Sequence, residues 1–543
     1  MRQVYELWLK NCENERDLHD ELLRIQNDEL EIADRFYREL AFGTGGLRGV
    51  LGAGTNRMNV YTVGRATFGF AEYLVHKWKN PSVVIAYDSR RKSREFAYLA
   101  ANILSSRGIK AYVFNELTPT PVLSYAVRAL RASGGIVITA SHNPKEYNGY
   151  KVYNEHGCQI TDGAAMEITA EIAKQAYFNE YQPNEDLIEE IYDEIFEAFL
   201  EKVQSFSLRK TDACYAPKIV YTPLHGTGRR YVSEILKRMG IKDLALVKEQ
   251  EFPDPDFTTC PYPNPEEKAA LELALQYAQD LDADMIVATD PDADRVGIAV
   301  KDSKGTYRRL TGNETGILLM DYMLSAKSKA GTLGENPAVI KTIVTSDMAF
   351  DVAKTYGATV KEVLTGFKYI GEKMDETENF VMGLEESYGY LVGEHARDKD
   401  AVSAVAMIVE MATYYKSQGK TLAQVLDNLY VRYGYYKTEL ISLSYLGEAG
   451  MKNMQAKLSA VRNMPVGSLR GKPVVFTDFS LGVDGLPKSN VMRFKNDELK
   501  VLLRPSGTEP KLKIYLQLKT DNQADSSIAM QALIQEIQEV WGL

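Results

Sequence analysis

The chain has 543 residues, which at roughly 150 residues per domain corresponds to three or four domains rather than to one core. Hydrophobic residues make up 45% and charged residues 25%, a composition that excludes an intrinsically disordered or fibrous protein. The net charge of -10 argues against non-specific binding to nucleic acid or anionic membranes, so that any anionic ligand must be bound locally.

The four cysteines are spread along the chain and contain no CxxC pair. This spacing indicates neither a disulfide framework nor a zinc site, and it fits a reducing compartment. The N-terminal stretch is charged throughout, and no run of the sequence approaches the roughly 18 apolar residues of a membrane span. We therefore expect a cytoplasmic protein without a membrane or nucleic-acid partner.

Roughly the first 40 residues predict helices, because apolar residues such as Leu18 and Leu22 recur at helical spacing. From about residue 80 onward, short β-branched runs alternate with longer amphipathic segments, which is typical of α/β domains with parallel or mixed sheets. Polar clusters follow many of these runs, as expected for ligand-binding loops beyond the carboxyl ends of strands. The candidate domain joints are Gln204 to Ala216, the region near Gly312, and Gly447 to Gly450.

The stretch GTGGLRG at 43–49 is rich in glycine, so that its backbone can approach a ligand closely, and Arg48 can pair with a phosphate. It has neither the GxGxxG spacing nor the lysine of a P-loop, and so does not indicate a nucleotide site. By itself the motif is a weak signal.

Ser141 and His142 follow the strand-like run Ile136 to Ile138. The serine can be a nucleophile, although there is no GxSxG elbow and a neighbouring histidine does not establish a Ser–His pair. The alternative is a serine that caps or turns the chain, and taken alone this interpretation is favoured. A phosphoryl group on Ser141 would change that balance, because its oxygens could complete a metal site.

Asp290, Asp292 and Asp294 stand in one short loop after an apolar run, and their combined charge is costly unless a divalent cation lies among them. An EF-hand is disfavoured, because Arg295 and Lys301 stand at the loop positions that require Gly and Glu. Mg²⁺ suits a few carboxylates completed by a phosphate oxygen, and Arg295 can bind an anion beside it. The alternative is a solvated acidic turn.

Three further loops carry polar side chains. Glu385 and Ser387 can bind vicinal sugar hydroxyls, or else cap a helix. Lys399 lies in a mixed-charge run that is solvated by default, but in a cleft a lowered pKa could make it a general base. The segment from Arg504 to Thr508 combines a guanidinium, two hydroxyls and a glycine, which are donors for a phosphate dianion, or else forms a surface turn.

In this order, GTGGLRG, TASHNPKEYNGYK, DPDADR, GLEESYG and RPSGTEPK resemble the motifs of the α-D-phosphohexomutase superfamily, in its phosphoglucomutase and phosphomannomutase family. The resemblance spans nearly the whole chain. It implies three related α/β domains with mixed sheets and a smaller α+β C-terminal domain around a central cleft. The ranges that we assign to the four domains are 1–205, 206–315, 316–447 and 448–543.

The resemblance also implies a role for each matching residue. Ser141 would be the phosphoserine, and Asp290, Asp292 and Asp294 would hold Mg²⁺ with one phosphoserine oxygen. Arg48 and Arg295 would stabilise the phosphoryl group, His142 would support the phosphoserine loop, and Lys151 and Lys399 would be catalytic. Glu385 and Ser387 would bind sugar hydroxyls. The phosphate that is not reacting would be bound by Arg504, Ser506, Gly507 and Thr508.

The implied reaction interconverts glucose 1-phosphate and glucose 6-phosphate through a glucose 1,6-bisphosphate that turns end for end, with the bisphosphate also as activator. We expect a small sugar phosphate as the partner and a monomer or weak homodimer. The sugar loop departs from the family pattern, and parts of the sequence resemble a branch of the family that also acts on pentose phosphates. Phosphopentomutase and phosphomannomutase activities therefore remain open. A phosphatase with Asp290 as nucleophile and a non-catalytic phosphosugar-binding relative are the remaining alternatives.

Overall fold

The computed structural model of the protein describes residues 1–210, 212–445, 447–506 and 511–542. Within them the strands form four large sheets, which follow one another along the chain, and one two-stranded ribbon. None of the helices in these ranges combines the length and apolar character that crossing a membrane requires.

The N-terminal segment is helical, as predicted. Its helices are α1 (Arg2–Asn11), α2 (Arg16–Arg24) and α3 (Glu29–Phe36). Trp8 is buried and contacts the rings of Phe36, Tyr61, Tyr177 and Phe178 edge-on. These contacts pack the extension against the first sheet domain by the burial of aromatic surface.

The first domain is a mixed six-stranded sheet in the order β1-β5-β4-β2-β3-β6. Its strands are β1 (Leu47–Val50), β2 (Ser82–Tyr87), β3 (Lys110–Phe114), β4 (Gly134–Ile138), β5 (Tyr147–Asn154) and β6 (Ile188–Ile191). Its helices are α4 (Val60–Lys77), α5 (Ser93–Ser106), α6 (Thr120–Ala129), α7 (Asp162–Ala173) and α8 (Asp193–Gln204). Because β2 and β4 are parallel neighbours, the loops at their carboxyl ends, which carry Arg90 and Ser141, lie side by side.

The second domain has the strand order β11-β10-β9-β7-β8. Its strands are β7 (Ile219–Thr222), β8 (Leu244–Leu246), β9 (Met285–Thr289), β10 (Val296–Lys301) and β11 (Tyr307–Arg309), and its helices are α9 (Gly228–Arg238), α10 (Lys248–Glu251) and α11 (Glu272–Leu281). The apolar run of β9 is buried throughout and pairs antiparallel with β10. The aspartate loop is therefore the short connection between these two strands.

The third domain has the strand order β13-β12-β14-β15. Its helices are α12 (Gly312–Ala330), α13 (Met348–Thr355), α14 (Phe367–Asp375), α15 (Ala401–Lys416) and α16 (Leu422–Tyr433), and its strands are β12 (Ala338–Thr342), β13 (Thr359–Val363), β14 (Phe380–Glu385) and β15 (Gly389–Leu391). Glu410 on α15 accepts hydrogen bonds from Ser207 Oγ (2.6 Å) and from the N–H groups of Leu208 and Arg209. The connection between the first two domains is thereby held on the third.

The last sheet is antiparallel throughout, in the order β16-β22-β21-β20-β19, and has its own core. Its strands are β16 (Tyr435–Ser444), β19 (Val475–Asp478), β20 (Met492–Lys495), β21 (Leu499–Pro505) and β22 (Lys511–Thr520), accompanied by the ribbon β17 (Ser468–Leu469) and β18 (Lys472–Pro473) and by helices α17 (Gly447–Asn463) and α18 (Gln523–Trp541). The predicted fold class, three α/β domains with mixed sheets and an α+β C-terminal domain, is confirmed. The domain ranges stay a prediction, and β16 joins the last sheet although it precedes the joint near Gly447.

Candidate active site

Ser141 lies on the loop after β4 and faces the second domain. Its Oγ lies 2.9 Å from Asp290 Oδ2, and the residue is only 3% exposed. Ser141 has a left-handed backbone (φ 52°), a conformation that costs energy for a residue with a side chain. Its N–H donates to Thr139 Oγ1 at 2.8 Å. The serine hydroxyl is thus held against a carboxylate of another domain.

Asp290, Asp292 and Asp294 are all buried, and each offers an oxygen within 4.8 Å of the others. The loop is closed by Asp290 Oδ1, which accepts the N–H groups of Asp294 (3.1 Å) and Arg295 (2.9 Å). Ala293 takes a left-handed φ of 49°, so that the carboxylates before and after it converge.

This cluster fits a hard divalent cation. Asp292 Oδ1 and Asp294 Oδ1 are buried and accept no hydrogen bond in the part of the chain that the structure describes. Burial raises the pKa of Asp290 well above its usual range, and the charges of Asp292 and Asp294 add to the effect, so that a cation among them would relieve an unfavourable charge. An all-oxygen donor set suits Mg²⁺ or Ca²⁺ rather than a softer metal.

Two lysines form ion pairs with the aspartates. Lys151 Nζ lies 2.9 Å from Asp292 Oδ2 and 3.6 Å from Asp294 Oδ2, while Lys399 Nζ lies 3.1 Å from Asp294 Oδ2. Lys399 also pairs with Asp398 at 3.0 Å. The sequence motifs of three domains therefore meet at one carboxylate cluster.

The suggestion from the sequence that a cleft would lower the pKa of Lys399 is wrong. Burial alone would lower the pKa, but Asp294, Asp398 and Glu385 together raise it well above its ordinary value. The pKa of Lys151 is raised as well, because Asp292 and Asp294 outweigh its burial. These carboxylates favour the ammonium form of both side chains, which can neutralise negative charge held beside the cluster.

His142 is adjacent to the serine. Its Nδ1 lies 3.2 Å from Ser141 Oγ. Burial lowers the pKa of His142 well below its usual range, and the charges of Arg295 and Arg48 add to the effect. The imidazole is therefore neutral and can share a hydrogen bond with the serine or with a group attached to it.

The two sequence-predicted arginines stand at the edge of the cluster. Arg48 on β1 is exposed, and its Nη1 donates to Asn143 Oδ1 at 3.3 Å. Arg295 is mostly buried, with its guanidinium 3.6 Å from Glu266 and 3.8 Å from Asp294. Both can donate to an anion held beside Ser141.

Gly46 of the GTGGLRG motif packs against the protein's own strand rather than facing a ligand. A Cβ at Gly46 would lie 1.9 Å from the carbonyl oxygen of Tyr150 on β5, and its φ is +76°. The glycine at this position therefore allows the chain at the start of β1 to pack closely on β5. A Cβ at Gly43 or Gly45 would have no atom within 4 Å, so these two glycines face open space.

The loop between β14 and β15 is joined directly to the aspartate loop. Val296 N–H donates to the Tyr388 carbonyl at 3.1 Å, and Arg295 and Gly389 form an antiparallel bridge. Glu385 is buried, and that burial raises its pKa to about 7. Ser387 Oγ lies 3.5 Å from Glu385 Oε2, too far for a strong bond, so both side chains retain hydrogen-bonding capacity.

The C-terminal motif is described only in part. Arg504 stands near the end of β21, and its Nη1 lies 3.4 Å from the hydroxyl of Tyr515 on β22. Ser506 N–H donates to the Lys511 carbonyl at 2.8 Å, which closes the base of the loop. Gly507 and Thr508 lie outside the described residues.

Three sequence models of one family match consecutive parts of the chain. They are described as phosphoglucomutase/phosphomannomutase alpha/beta/alpha domains I, II and III, and they match residues 39–178, 194–305 and 311–433. The chain is also 38% identical over 512 residues to a protein named phosphoglucomutase from Staphylococcus haemolyticus, covering 90% of this chain and 92% of that one. The chain belongs to the phosphoglucomutase/phosphomannomutase family.

Two further similarities concern the sequence and the fold, respectively. A protein named phosphoglucomutase from Staphylococcus aureus (strain MRSA252) is 35% identical over 562 residues, covering 97% of this chain and 98% of that one. The open form of the Paramecium exocytosis-sensitive phosphoprotein pp63/parafusin shares the fold, with a TM-score of 0.72 at 19% identity over 93% of this chain and 95% of that chain.

Within this phosphoglucomutase/phosphomannomutase family site, sequence reasoning missed Thr120. Its Oγ1 donates to Asp292 Oδ2 and its N–H to the Asp292 carbonyl, both at 2.9 Å. Thr120 begins α6 in the first domain, 172 positions from Asp292. The TPTP run at 118–121 overlaps the start of α6 and indicates a helix start, but it does not indicate a contact with a residue so far along the chain.

The TPLHGTG loop at 222–228, one of the polar clusters that follow the β-branched runs, supports the aspartate loop. Thr227 N–H donates to the Pro291 carbonyl at 2.8 Å. A Cβ at Gly226 would lie 2.4 Å from Pro291 Cα. His225 is turned away and bonds Thr259 Oγ1 at 2.8 Å. The aspartate loop is therefore supported through Pro291 by a neighbouring loop of the same domain.

Proposed function

We propose that this protein is a phosphoglucomutase that interconverts glucose 1-phosphate and glucose 6-phosphate through a phosphoserine at Ser141. The observation that supports it best is the 2.9 Å contact between Ser141 Oγ and Asp290 Oδ2, inside a buried carboxylate cluster that fits a divalent cation. The name and high coverage of the Staphylococcus relatives support the substrate.

The first half-reaction transfers the phosphoryl group from Ser141 to the sugar. The 6-hydroxyl oxygen of glucose 1-phosphate attacks phosphorus, the P–Oγ bond breaks, and the P–O6 bond forms. Arg48 and Arg295 donate N–H groups to the phosphoryl oxygens, on which charge is spread during transfer. The proton lost by the 6-hydroxyl is taken up by Ser141 Oγ when the P–Oγ bond breaks, so that the transfer neither gains nor loses a proton. The ammonium groups of Lys151 and Lys399 beside the carboxylates would neutralise part of the charge.

The second half-reaction returns the other phosphoryl group to Ser141 after glucose 1,6-bisphosphate has turned end for end. Glu385 and Ser387 would bind sugar hydroxyls in either orientation, and Arg504, Ser506, Gly507 and Thr508 would bind whichever phosphate is idle. His142 and Lys151 hold the serine loop and the carboxylates in register. Such positioning converts a bimolecular transfer into an effectively unimolecular one.

Asp290, Asp292 and Asp294 would hold the Mg²⁺ ion of this site. The ion would supply neutralisation of the phosphoryl charge beside the carboxylates. Added glucose 1,6-bisphosphate would act as the activator, because it phosphorylates any Ser141 that has lost its phosphoryl group to water.

The test is turnover by the purified chain with Mg²⁺ and a trace of glucose 1,6-bisphosphate, monitored by coupled oxidation of glucose 6-phosphate. Ribose 1-phosphate and mannose 1-phosphate are assayed in parallel. We expect the highest kcat/KM for glucose 1-phosphate and no turnover by Ser141→Ala. Release of inorganic phosphate in place of isomerisation, a higher kcat/KM for ribose 1-phosphate, or binding without turnover would contradict the proposal.

A further inference from the structure

Arg90 lies beneath the serine loop and is almost completely buried, at 3% exposure. Its guanidinium donates to four backbone carbonyl oxygens of that loop. They belong to Ser141 (2.5 Å), Asn143 (2.5 Å), Pro144 (2.8 Å) and Tyr147 (3.1 Å). One side chain therefore donates to four carbonyl oxygens between Ser141 and Tyr147.

The loop needs such a donor because its backbone is irregular. Ser141 has a left-handed φ of 52°, and the chain turns so that successive carbonyls point to one side. Buried carbonyl oxygens without a donor are costly, and a strained φ persists only where the surroundings enforce it. A guanidinium has five N–H donors in a rigid fork, so it can serve several carbonyls at once, whereas an ammonium presents three donors around one point.

Arg90 is itself held from two domains. In the first domain its Nε lies 3.2 Å from Asp88 Oδ2, and Asp88 Oδ1 accepts from Arg90 N–H and from Ser93 Oγ at 2.7 Å. In the second domain the ring of Phe257 lies 4.9 Å from the guanidinium carbon. Phe257 is fully buried and has a left-handed φ of 47°, an unusual conformation for a bulky residue.

We propose that Arg90 is the positioning residue for phosphoryl transfer at Ser141, and that Phe257 orients it from the second domain. This inference rests on the proposed mutase function. Arg90 acts through the serine loop, because its donors are directed to backbone carbonyls and its side chain is closed off from the cleft. It sets the backbone from which Ser141 Oγ reaches Asp290.

The consequence for catalysis follows from geometry. Displacement of the reacting atom by about 1 Å can cost about 100-fold in rate, even where substrate binding is unchanged. The Arg90 side chain is fully buried, so that it is not accessible to a sugar in the cleft. Loss of its fork should therefore lower kcat and leave KM for glucose 1-phosphate nearly unchanged.

The experiment compares Arg90→Lys with Arg94→Lys, a matched exchange at an exposed arginine in the first turn of α5. Each variant is incubated with Mg²⁺ and excess glucose 1,6-bisphosphate, and intact mass gives the fraction phosphorylated. Initial rates then give kcat per phosphorylated molecule and KM, and circular dichroism gives Tm. We expect kcat of Arg90→Lys to fall about 100-fold with KM within about threefold, and Arg94→Lys to match the wild type.

Asp88→Asn and Phe257→Leu keep the test decisive if Arg90→Lys does not fold. Both leave Arg90 in place and remove one group that orients it, so we expect kcat to fall about tenfold with KM unchanged. A kcat within about threefold of the wild type in every folded variant of this set would overturn the positioning role. Failure of the wild type to isomerise glucose 1-phosphate would instead overturn the proposed function, so the two failures are distinct.

Discussion

Ser141 Oγ and Asp290 Oδ2 lie 2.9 Å apart although 149 positions separate them in the chain. The contact joins the loop after β4 in the first domain to the loop after β9 in the second. A phosphoryl group on this serine would bring about two negative charges next to three buried carboxylates. Such an arrangement is strongly repulsive unless a cation lies between the groups, so metal binding and serine phosphorylation should depend on each other.

Asp292→Asn tests this dependence. The substitution removes charge from a carboxylate whose Oδ1 has no hydrogen-bond partner among the described residues. We expect kcat/KM for glucose 1-phosphate to fall about 100-fold or more, because phosphoryl charge would no longer be neutralised. The wild-type Tm should rise when Mg²⁺ is added, by mass action on the folded state, and this rise should shrink in Asp292→Asn.

The control for that experiment is Asp280→Asn, an exposed aspartate on α11. It should keep both the activity and the Mg²⁺-induced rise in Tm. An unchanged Mg²⁺ response in Asp292→Asn would contradict the assignment of the cluster as the metal site.

Thr120→Val probes the hydrogen bond that orients Asp292. The valine keeps the shape of the side chain but removes the hydroxyl that donates to Asp292 Oδ2 at 2.9 Å. Groups that orient metal ligands typically contribute about 10-fold to 100-fold in affinity. We therefore expect the Mg²⁺ concentration for half-maximal activity to rise about tenfold, while kcat at saturating Mg²⁺ changes little. A kcat that falls at every Mg²⁺ concentration would show that Thr120 acts in some other way.

Much of the site is predictable because its chemistry is local in sequence. The three aspartates alternate within five residues, and a serine follows directly after an apolar strand, so each motif identifies its own loop. The α/β alternation likewise predicts the first three sheets. These signals need no knowledge of what packs against them.

The supporting contacts are not predictable in this way, because they join distant parts of the chain. The local sequence around Thr120 and Arg90 does not mark them as important, because their partners, Asp292 and the serine loop, are distant in sequence. The pKa of Lys399 depends on three carboxylates from three separate segments, and their combined charge outweighs burial. Similarly, β16 joins the last sheet through β22, whose sequence begins more than sixty positions later.

Gly226→Ala tests the support of the aspartate loop. A Cβ at this position would lie 2.4 Å from Pro291 Cα and 2.6 Å from its carbonyl oxygen, which are backbone atoms that cannot move without the loop. We expect a loss of about 1 to 3 kcal/mol in the free energy of unfolding and a weaker Mg²⁺ response. Gly163→Ala is the matched control, since a Cβ there has no atom within 4 Å. Equal stability of the two variants would contradict the packing argument.

A buried charge cluster joins the third domain to the last sheet and predicts a pH dependence. Asp347 accepts from Lys500 (2.6 Å), Lys495 (2.7 Å) and Lys341 (3.1 Å), and Lys341 also pairs with Glu362. Burial, and next the charge of Lys341, lowers the pKa of Lys500 from 10.5 to about 7. The attraction of Asp347 is smaller than these two effects, because that carboxylate is shared among three lysines.

The sign of the effect follows from proton binding. Between about pH 7 and 10.5 the unfolded chain binds a proton at Lys500 that the folded chain does not, so stability rises with pH in this window. Lys500→Met should remove about 2 kcal/mol of the stability gained between roughly pH 7 and pH 9. Chemical denaturation at both pH values measures it. Lys495→Met, at the partly exposed edge of the cluster, should keep the wild-type slope, and an unchanged slope in Lys500→Met would refute the assignment.

The central claim is that Ser141 carries the phosphoryl group that is transferred. The most direct measurement is intact mass and phosphopeptide mapping of the wild type after incubation with Mg²⁺ and glucose 1,6-bisphosphate, and again after a chase with glucose 1-phosphate in excess. We predict one phosphoryl group on the peptide that contains Ser141, exchanged for the substrate's unlabelled phosphate when the starting bisphosphate carries ³²P. A phosphoryl group on Asp290, or turnover of glucose 1-phosphate with Ser141 never modified, would contradict the account.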